Sequence, residues 1–156
     1  MSEAHYTIRP TEVADIKTVA ANIRQADKEE LWAASHMTPF QALKGSYLIS
    51  RDISFVGEAD GKVACMFGCK PPTKLSDIAV PWMVGTNELK FHSRRFLRLS
   101  RKMVEVWRKE FPYMENYVDE RNVEAVRWLQ WVGFSVYYPK PYGPDGLPFH
   151  RFDMET

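Results

Sequence analysis

The amino-acid sequence predicts an α/β fold with a single mixed central β-sheet of about six to seven strands and helices on both faces. Three observations support this prediction. Strand-like and helical segments alternate along the second half of the chain. An Asp-Gly dipeptide joins two β-rich runs near the middle. The longest helical pattern is amphipathic over five turns. One domain spanning residues 1–156 is expected, because this is about the length of an average domain.

The first third of the chain predicts one short strand followed by three helices. Apolar and polar residues alternate in HYTIRP, and Thr11 after this strand is expected to cap a helix. A second helical stretch follows, in which Leu31 and Trp32 are expected to pack inward. Thr38 and Pro39 are typical of an N-cap and a first helical position, so they predict the start of a third helix.

The middle of the chain predicts a hairpin and then an interrupted strand. Asp60 and Gly61 favour the type I′ turn of a two-residue hairpin. The next apolar segment, residues 78–86, is hydrophobic enough for a central strand but has Pro81 in its middle. Because proline cannot donate a hydrogen bond to a neighbouring strand, we expect a bulge at this position.

The longest predicted helix covers residues 93–111 and is strongly basic. Phe96 and Trp107 belong to its apolar side, whereas arginines and lysines occupy the other side. Between Lys90 and Lys109 there are eight Lys or Arg residues and one acid, although the whole chain has a net charge of only +1. This concentration of charge indicates either a solvated helix face or a site for phosphate or nucleic acid.

The composition excludes several classes of protein. A hydrophobic fraction of 45% is too high for a disordered chain, and no stretch approaches the ~20 consecutive apolar residues of a membrane span. The N-terminus has no export pattern, so we expect a soluble protein that acts in the compartment where it is made. Cys65 and Cys69 would lie roughly 13 Å apart along a strand, too far for a disulfide. No histidine or cysteine spacing predicts a metal site.

The last helical segment carries a resemblance to a known family. The segment NVEAVRWLQWVGF resembles the final helix of the GNAT N-acetyltransferases, which reads N-x-x-A-x-x-φ-Y-x-x-x-G-F. Asn122, Ala125, Trp128, Gly133 and Phe134 stand at the matching positions. Asn122 can cap the helix, and Gly133 permits a left-handed exit into the next strand. Together with the order of the elements, this resemblance implies a GNAT fold.

Residues 77–138 show a narrower resemblance, to the small internal virion proteins of autographivirus-type podophages. The similar features are PWMVGT, the basic helix, a strand containing NYV, and the final helix. This resemblance implies a bacteriophage protein located in the virion or in the cytoplasm of the infected bacterium. Its partners would be other virion proteins or a host protein, and not a membrane.

The GNAT resemblance also implies a cofactor, acetyl-CoA, held in a wedge between two central strands at residues 78–86 and 113–119. The pantetheine arm would pair with the backbone of the first strand, and the pyrophosphate would lie at the N-terminus of the basic helix. The residues that the resemblance assigns to acetyl-CoA are Trp82, Met83, Val84, Gly85, Thr86, Ser93, Arg94, Arg95 and Asn122.

Two features depart from the family pattern. The usual pyrophosphate loop contains glycines, whereas NELKFHSRRF contains none. The tyrosine that often protonates the departing thiolate is replaced by Leu129, which has no proton to give. Asp77 is the nearest candidate for a general base beside the wedge, and an ordinary loop aspartate is the alternative interpretation.

The sequence leaves three functions open. The chain is a virion-associated interaction protein with a degenerate acetyl-CoA site, an acetyl-CoA-dependent N-acetyltransferase acting on a protein or small amine, or a nucleic-acid-binding protein that uses the basic helix. No aromatic ladder or known recognition motif accompanies the basic helix, so the third function has the weakest support.

Overall fold

The computed structural model describes residues 4–156, and within them the chain forms eight β-strands and five α-helices. The strands are β1 (Tyr6–Pro10), β2 (Ser54–Ala59), β3 (Lys62–Lys70), β4 (Val80–Gly85), β5 (Tyr113–Asp119), β6 (Ser135–Val136), β7 (Lys140–Tyr142) and β8 (Leu147–Glu155). The helices are α1 (Val13–Ala21), α2 (Gln25–Ser35), α3 (Pro39–Ile49), α4 (Ser93–Glu110) and α5 (Val123–Val132). No helix within residues 4–156 combines the length and the hydropathy of a membrane span.

Strands β1 to β4 form an antiparallel sheet in which each strand pairs with the next one along the chain. The hairpin between β2 and β3 has Asp60 at φ 51° and Gly61 at φ 79°, the two positive values that a type I′ turn requires. The hairpin predicted from this dipeptide is therefore confirmed. A bulge between Gly57 and Glu58 shifts the register of β2 against β3.

Pro81 lies in β4 without the predicted bulge. It is opposite Cys69 of β3 in an unbroken register. Successive N–H groups of a strand point to alternate sides, and the N–H of Thr86 donates to Ala64 on the β3 side. An N–H at position 81 would therefore point away from β3. The donor that proline lacks is one that this sheet does not use, so no bulge is needed.

Strands β5 to β8 form a second sheet with β8 at its centre. The other three strands each pair antiparallel with β8. The two sheets meet at a single parallel bridge between Ala79 and Met114. The sequence predicts one continuous central sheet, whereas the described strands form two four-stranded sheets, because β4 and β5 separate beyond this bridge.

Helices cover both faces of the sheets, and each face has its own apolar core. Neighbouring residues Met66 and Phe67 of β3 belong to different cores, as expected from the alternation of side chains along a strand. The core under α4 and α5 includes Phe67, Phe96, Trp107 and Phe152. The core under α1 and α3 includes Ile16, Val19, Leu43 and Met66.

The two cysteines are buried in the first of these cores and are not bonded to each other. Burial raises the pKa of the Cys65 thiol and of the Cys69 thiol to about 12. Both side chains are therefore thiols at neutral pH and serve as small core residues.

The helix starts show one confirmed cap and one wrong prediction. Thr38 caps α3: its hydroxyl accepts from the N–H of Gln41, and its own N–H donates to the Gln41 side chain. Thr11 does not cap α1, because its hydroxyl lies 2.8 Å from that of Ser54 in the neighbouring strand. The N-cap of α1 is Glu12 instead.

Helix α2 is held at its C-terminal end by the turn between β7 and β8. His36 Nε2 lies 2.9 Å from the carboxylate of Asp145 in this turn. Gly143, at φ 77°, packs so closely that an added Cβ would lie 2.2 Å from a carbonyl oxygen of α2. Trp32 was predicted to pack inward, but it is 52% exposed and stacks on the His36 ring.

Gly61 and Gly45 offer a matched test of the backbone, because an added Cβ would have no neighbour within 4 Å at either position. Gly61 is left-handed, whereas Gly45 lies inside α3. We expect Gly61→Ala to lower the free energy of unfolding by about 1–2 kcal/mol and Gly45→Ala to raise it by about 0.5–1 kcal/mol. Urea unfolding measures both changes, and a shift of the same sign in both variants would contradict these conformations.

Candidate functional site

Strands β4 and β5 run side by side for one bridge and then separate, which opens a gap in the middle of the fold. At the bridge, Ala79 donates to the carbonyl of Tyr113 and accepts from the N–H of Glu115, each at 3.0 Å. Beyond it, Asn116 Nδ2 spans the widening gap and donates to the carbonyl oxygen of Pro81 at 2.8 Å. No further backbone hydrogen bond joins the two strands in the described part of the chain.

A cavity of about 470 Å³ occupies this gap and is lined by residues from both faces of the sheets. Lining residues on the α2 and α3 side are Asp27, Glu30, Leu31, Ala34, Met37 and Ile49. Those on the α4 and α5 side are Ser100, Trp107, Ala125, Trp128 and Leu129. Trp82 does not close the gap, since its ring packs against the core under α1 and α3 and its Nε1 donates to Ser50 Oγ at 3.0 Å.

The backbone of β4 presents alternate residues to the gap. The groups of Ala79 bond to β5. Those of Gly85 bond to the start of α2: its N–H donates to Asp27 at 2.8 Å, and its carbonyl accepts from the N–H of Arg24 at 2.9 Å. Met83 lies between them in the same alternation, so its N–H and C=O point into the gap. Among residues 4–156 neither group has a hydrogen-bond partner across the gap.

Two acids of α2 span the wide end of the gap. The N–H of Asp119, at the end of β5, donates to Glu30 Oε1 at 3.0 Å, just as the N–H of Gly85 donates to Asp27. Asn122 Nδ2 donates to Asp27 at 3.0 Å and to Glu30 at 3.3 Å. The ends of β4 and β5 are therefore joined through α2 side chains and not through a backbone ladder.

Asn122 contributes an unsatisfied acceptor to this acid cluster, which we define as Asp27, Glu30 and Asn122. The residue is 3% exposed and lines the cavity, and its Oδ1 has no hydrogen-bond partner among the described residues. A buried polar atom without a partner costs roughly 1–3 kcal/mol, and native structures contain few of them. This atom therefore marks a place where a donor from a ligand would be stabilising.

Burial makes both acids weaker than ordinary carboxyl groups. Desolvation, followed by the neighbouring charge of Asp27, raises the pKa of Glu30 to about 8. Desolvation also raises the pKa of Asp27, although Arg24, 3.3 Å away, favours the charged form. Arg24 is shared, since it also pairs with Glu124 at 2.9 Å. Glu30 is therefore largely protonated at neutral pH and can exchange a proton with a group in the cavity.

The loop after β4 leads into the 18-residue helix α4, whose first turn is basic and exposed. Ser93, Arg94 and Arg95 all face solvent, and the Arg95 guanidinium lies 5.3 Å from the centroid of the Tyr6 ring. The N-cap residue, His92, provides no side-chain cap, because its ring bonds to the hydroxyl of Tyr6 at 2.8 Å. Free N–H groups of this turn and two arginines together can bind an anion.

The loop itself is ordered without glycine. Thr86 is 2% exposed, and its hydroxyl donates to the carbonyl of Val63 at 2.8 Å while accepting from the N–H of Glu88. A short 3-10 turn at Leu89–Phe91 follows. Thr86 therefore stabilises the loop internally, and the donors available to a ligand belong to the next helix.

Three other residues named in the sequence predictions differ in where they lie relative to the cavity. Asp77 is exposed in the loop before β4 and is not among the residues that line the cavity. Val84 faces the core under α1 and α3 and also lines the cavity, and Leu129 reaches the cavity from α5. Within residues 4–156 no three His, Cys, Asp or Glu side chains converge in a way that could hold a metal ion.

Asp27 and Glu30 were not predicted as site residues from the sequence. A signal was present, because residues 27, 30, 31 and 34 share one face of α2, and that face also contains Leu31 and Ala34. Acids on the apolar face of a helix are unusual and indicate burial with a partner. The remaining residues of α2 are mostly polar, so the helix as a whole resembles a solvated one.

Comparisons with known proteins identify the fold. No protein-family model matches the sequence, and no curated protein matches it. Among solved structures, Ard1 from Thermoplasma volcanium is similar with a TM-score of 0.72 and 20% identity over 97% of this chain and 97% of that one. A GCN5-related N-acetyltransferase from Kribbella flavida is similar with a TM-score of 0.69 and 17% identity, over 97% of this chain and 98% of that one.

A third similar structure contains a cofactor. The aminoglycoside acetyltransferase AAC(6')-Ib, in complex with coenzyme A, has a TM-score of 0.67 and 14% identity over 97% of this chain and 95% of that one. These similarities extend over nearly the whole of each chain at low identity. The protein therefore has the fold of the GCN5-related N-acetyltransferases.

Proposed function

We propose that this chain is an acyl-CoA-dependent N-acyltransferase that moves an acetyl group from acetyl-CoA to a primary amine. The observation that carries this proposal is the cavity between β4 and β5, which is lined by residues of both faces and by a buried acceptor without a partner. A protein that used this fold only as a scaffold would gain stability by closing such a cavity with larger side chains.

The polar groups in the gap suit the pantetheine arm of acetyl-CoA. Met83 offers one N–H and one C=O along β4, and Asn122 Oδ1 offers an acceptor on the opposite wall. An amide group needs one acceptor and one donor, so Met83 can pair with one amide of the arm, and Asn122 Oδ1 can accept from the N–H of the other. The aromatic rings of Trp107 and Trp128 line the same cavity and would exclude water from a thioester.

The phosphates of the cofactor need cations and N–H donors, and the first turn of α4 supplies both. Ser93, Arg94 and Arg95 are exposed at the start of this helix. Arginine binds phosphate oxygens in a bidentate manner, and a helix N-terminus favours negative charge. A loop without glycine is compatible with this arrangement, because its own backbone need not approach the phosphates.

The chemistry divides between the cofactor and the chain. When bound, acetyl-CoA supplies a thioester whose carbonyl carbon is open to attack by an amine. The chain orients this group along β4, excludes water with its aromatic walls, and accepts the proton that the amine must lose. Leu129 donates no proton to the leaving sulfur, and none is essential, because thiols have a pKa of ~8.5 and leave as thiolates near neutral pH.

A second candidate is a scaffold protein of the phage virion, or of the infected cytoplasm, that interacts with virion or host proteins without catalysis. The observation that favours it is the acid pair of α2. Asp27 and Glu30 already occupy the N–H groups of Gly85 and Asp119 at the wide end of the gap. The negative charge of Asp27 would disfavour a phosphate placed beside it. Binding of acetyl-CoA separates this candidate from the enzyme.

We expect acetyl-CoA at about 100 times its Kd to raise the melting temperature by about 5–10 °C. Replacing both Arg94 and Arg95 by Ala should weaken binding roughly tenfold, since two cations that face the phosphates are lost. The matched control replaces Arg108 and Lys109 by Ala, which removes the same charge from the last turn of α4. Differential scanning fluorimetry and calorimetry measure both quantities. No thermal shift in the unmodified protein would contradict the proposed function.

Met83→Pro tests the role of the β4 backbone. The N–H at position 83 faces the gap, so its removal leaves the pairing of β4 with β3 intact, as Pro81 does. Met83→Ala is the control, because it removes the side chain and keeps the N–H. We expect Met83→Pro to bind acetyl-CoA roughly 2- to 10-fold more weakly than Met83→Ala, the loss of one hydrogen bond. Equal affinities would show that the backbone of residue 83 does not bind the cofactor.

A further inference from the structure

On the side of α2 and α3 the cavity is lined by Leu31, Ala34, Met37 and Ile49. Met37 and Ile49 are 44% and 56% exposed, so the cavity reaches the surface here, and we call this opening the apolar entrance. The basic first turn of α4 belongs to the opposite side of the sheets, where Phe96 joins the core under α4 and α5. Since an anionic cofactor would approach from the basic side, the apolar entrance is left for the second substrate.

The acid cluster at the wide end of the gap has unused acceptors. Both hydrogen bonds to Glu30 are made to its Oε1, from Asp119 and from Asn122. Within residues 4–156 the other oxygen, Oε2, has no hydrogen-bond partner, and neither does Asn122 Oδ1. Asp27 lies beside them and shares the donor Nδ2 of Asn122. The cluster therefore has two acceptors without partners, Glu30 Oε2 and the buried Asn122 Oδ1, on residues that line the cavity.

The chemistry of this cluster selects an ammonium group. An ammonium has three donors and a positive charge, whereas an alcohol has one donor and no charge. Arg24 is the nearby cation, but it is shared between Asp27 and Glu124, at 3.3 Å and 2.9 Å. An added cation beside Glu30 would stabilise the charged forms of Asp27 and Glu30, which burial otherwise disfavours.

We propose that the acid cluster is the subsite for the ammonium group of the acceptor, and that the acceptor is a primary amine with one apolar substituent lying between α2 and α3. This inference rests on the proposed function, because it names the class of amine that the same cavity receives. Amines that carry further charges along their carbon chain are excluded from this subsite, because those charges would contact Leu31, Met37 and Ile49.

Glu30 then acts as the general base. The ammonium nitrogen gives one proton to Glu30 Oε2 and becomes a neutral amine with a free electron pair. This pair forms a bond to the thioester carbonyl carbon, and the carbon–sulfur bond breaks with its electrons on sulfur. The nitrogen loses its second proton to that sulfur, so an amide and a thiol are produced and Glu30 returns its proton to solvent.

The pH dependence follows from the groups around Glu30. Several charged and titratable groups face Glu30 or its partners. They are Arg24, the N-cap residue of α2, Asp27 of α2, Tyr117 and Asp119 of β5, Arg121 after β5, Glu124 of α5 and Tyr142 of β7. Burial and Asp27 hold the pKa of Glu30 near 8. Below this value Glu30 is neutral and must release its proton before it pairs with an ammonium, so affinity for the amine rises with pH up to about 8.

The same shift in pKa has a consequence for stability. The folded-state pKa of Glu30, about 8, lies above the ordinary value of 4.5, so the folded state holds this proton more tightly than the unfolded state. The contribution of Glu30 to stability is complete below pH 4.5 and is lost as the pH rises to about 8. We therefore expect Glu30→Gln to melt at a higher temperature than the unmodified protein at pH 8.5, and this difference should vanish near pH 4.5.

The binding test uses the whole chain without acyl-CoA, so that it does not depend on transfer. The probes are straight-chain primary amines from butylamine to octylamine, the alcohols of equal length, and spermidine, titrated by calorimetry and by the fluorescence of the tryptophans that line the cavity. We expect Kd to tighten by about fourfold for each added methylene until the entrance is filled. Alcohols and spermidine should bind far more weakly than octylamine.

Two pairs of variants localise the amine. Glu30→Gln should weaken binding of octylamine roughly 10- to 100-fold and abolish its rise with pH, because a charged hydrogen bond is lost. Glu29→Gln, an exposed neighbour on the same helix, is the control. Ile49→Ser should reduce the gain per methylene, whereas Leu48→Ser should not, because Leu48 is 49% exposed but does not line the cavity.

The outcomes separate this inference from the function on which it rests. If acetyl-CoA raises the melting temperature but octylamine does not bind, or binds equally to Glu30→Gln and to the unmodified protein at pH 8, the acceptor inference is wrong and the transferase proposal stands. If spermidine binds more tightly than octylamine, the inference that the acceptor has an apolar substituent is wrong. If octylamine binds as described while acetyl-CoA does not, the amine subsite is supported and the transferase proposal fails.

Discussion

The separation of β4 from β5 is the constraint on which the rest of the structure depends. Two parallel neighbours would ordinarily share an evenly spaced ladder of hydrogen bonds. Here the ladder stops after Ala79, because the next residue of β4 that faces β5 is Pro81, which has no N–H to donate. Its carbonyl is taken by the side chain of Asn116 instead of by backbone. One proline and one asparagine thus convert a potential six-residue ladder into the two walls of a cavity.

Strands that have separated need new partners at their ends, and α2 provides them. Side-chain oxygens of Asp27 and Glu30 accept hydrogen bonds from the N–H groups that a ladder would have paired. This solution brings two acids into a site with few counter-charges, where an ionised carboxylate is costly. The cost is reduced when one acid holds a proton. The same interaction that joins the sheets therefore produces a carboxyl group with a pKa near neutrality, which is the property that general-base chemistry requires.

A feature could be predicted from the sequence when the residues that cause it lie close together along the chain. The hairpin at Asp60 and Gly61, the cap at Thr38 and the basic helix α4 were predictable because their causes lie within a few residues. The acid cluster was not, because the partners of Asp27 and Glu30 are strand ends 58 and 89 residues away. Pro81 was expected to interrupt the pairing of its strand, but the side on which it does so depends on the strand register. It interrupts the pairing with β5 and not with β3, so the structure has a gap instead of the predicted bulge.

The resemblance to the GNAT helix predicted the fold, but the acid chosen beside the wedge lies outside the cavity. Asp77 was chosen because it precedes the proline-bearing strand, yet the carboxyl groups that reach the cavity come from α2. Asn122 is the N-cap residue of α5, as predicted, although its side chain makes no capping hydrogen bond, and its assignment to the cofactor stays a prediction. A single sequence does not show the contacts of the Asn122 side chain. Its Nδ2 donates to both acids, whereas its Oδ1 has no partner among the described residues.

The unpaired backbone of Met83 also has a consequence for how this protein can contact other chains. A strand edge with free N–H and C=O groups is a template on which another chain can add a strand, and natural proteins protect such edges. In this fold the edge lies inside the molecule, closed at one end by the acids of α2 and along its length by the aromatic residues of α4 and α5. Opening of α2 would expose it. The contact of Asp27 with Gly85, which closes one end of this edge, therefore also helps to keep the edge away from other chains.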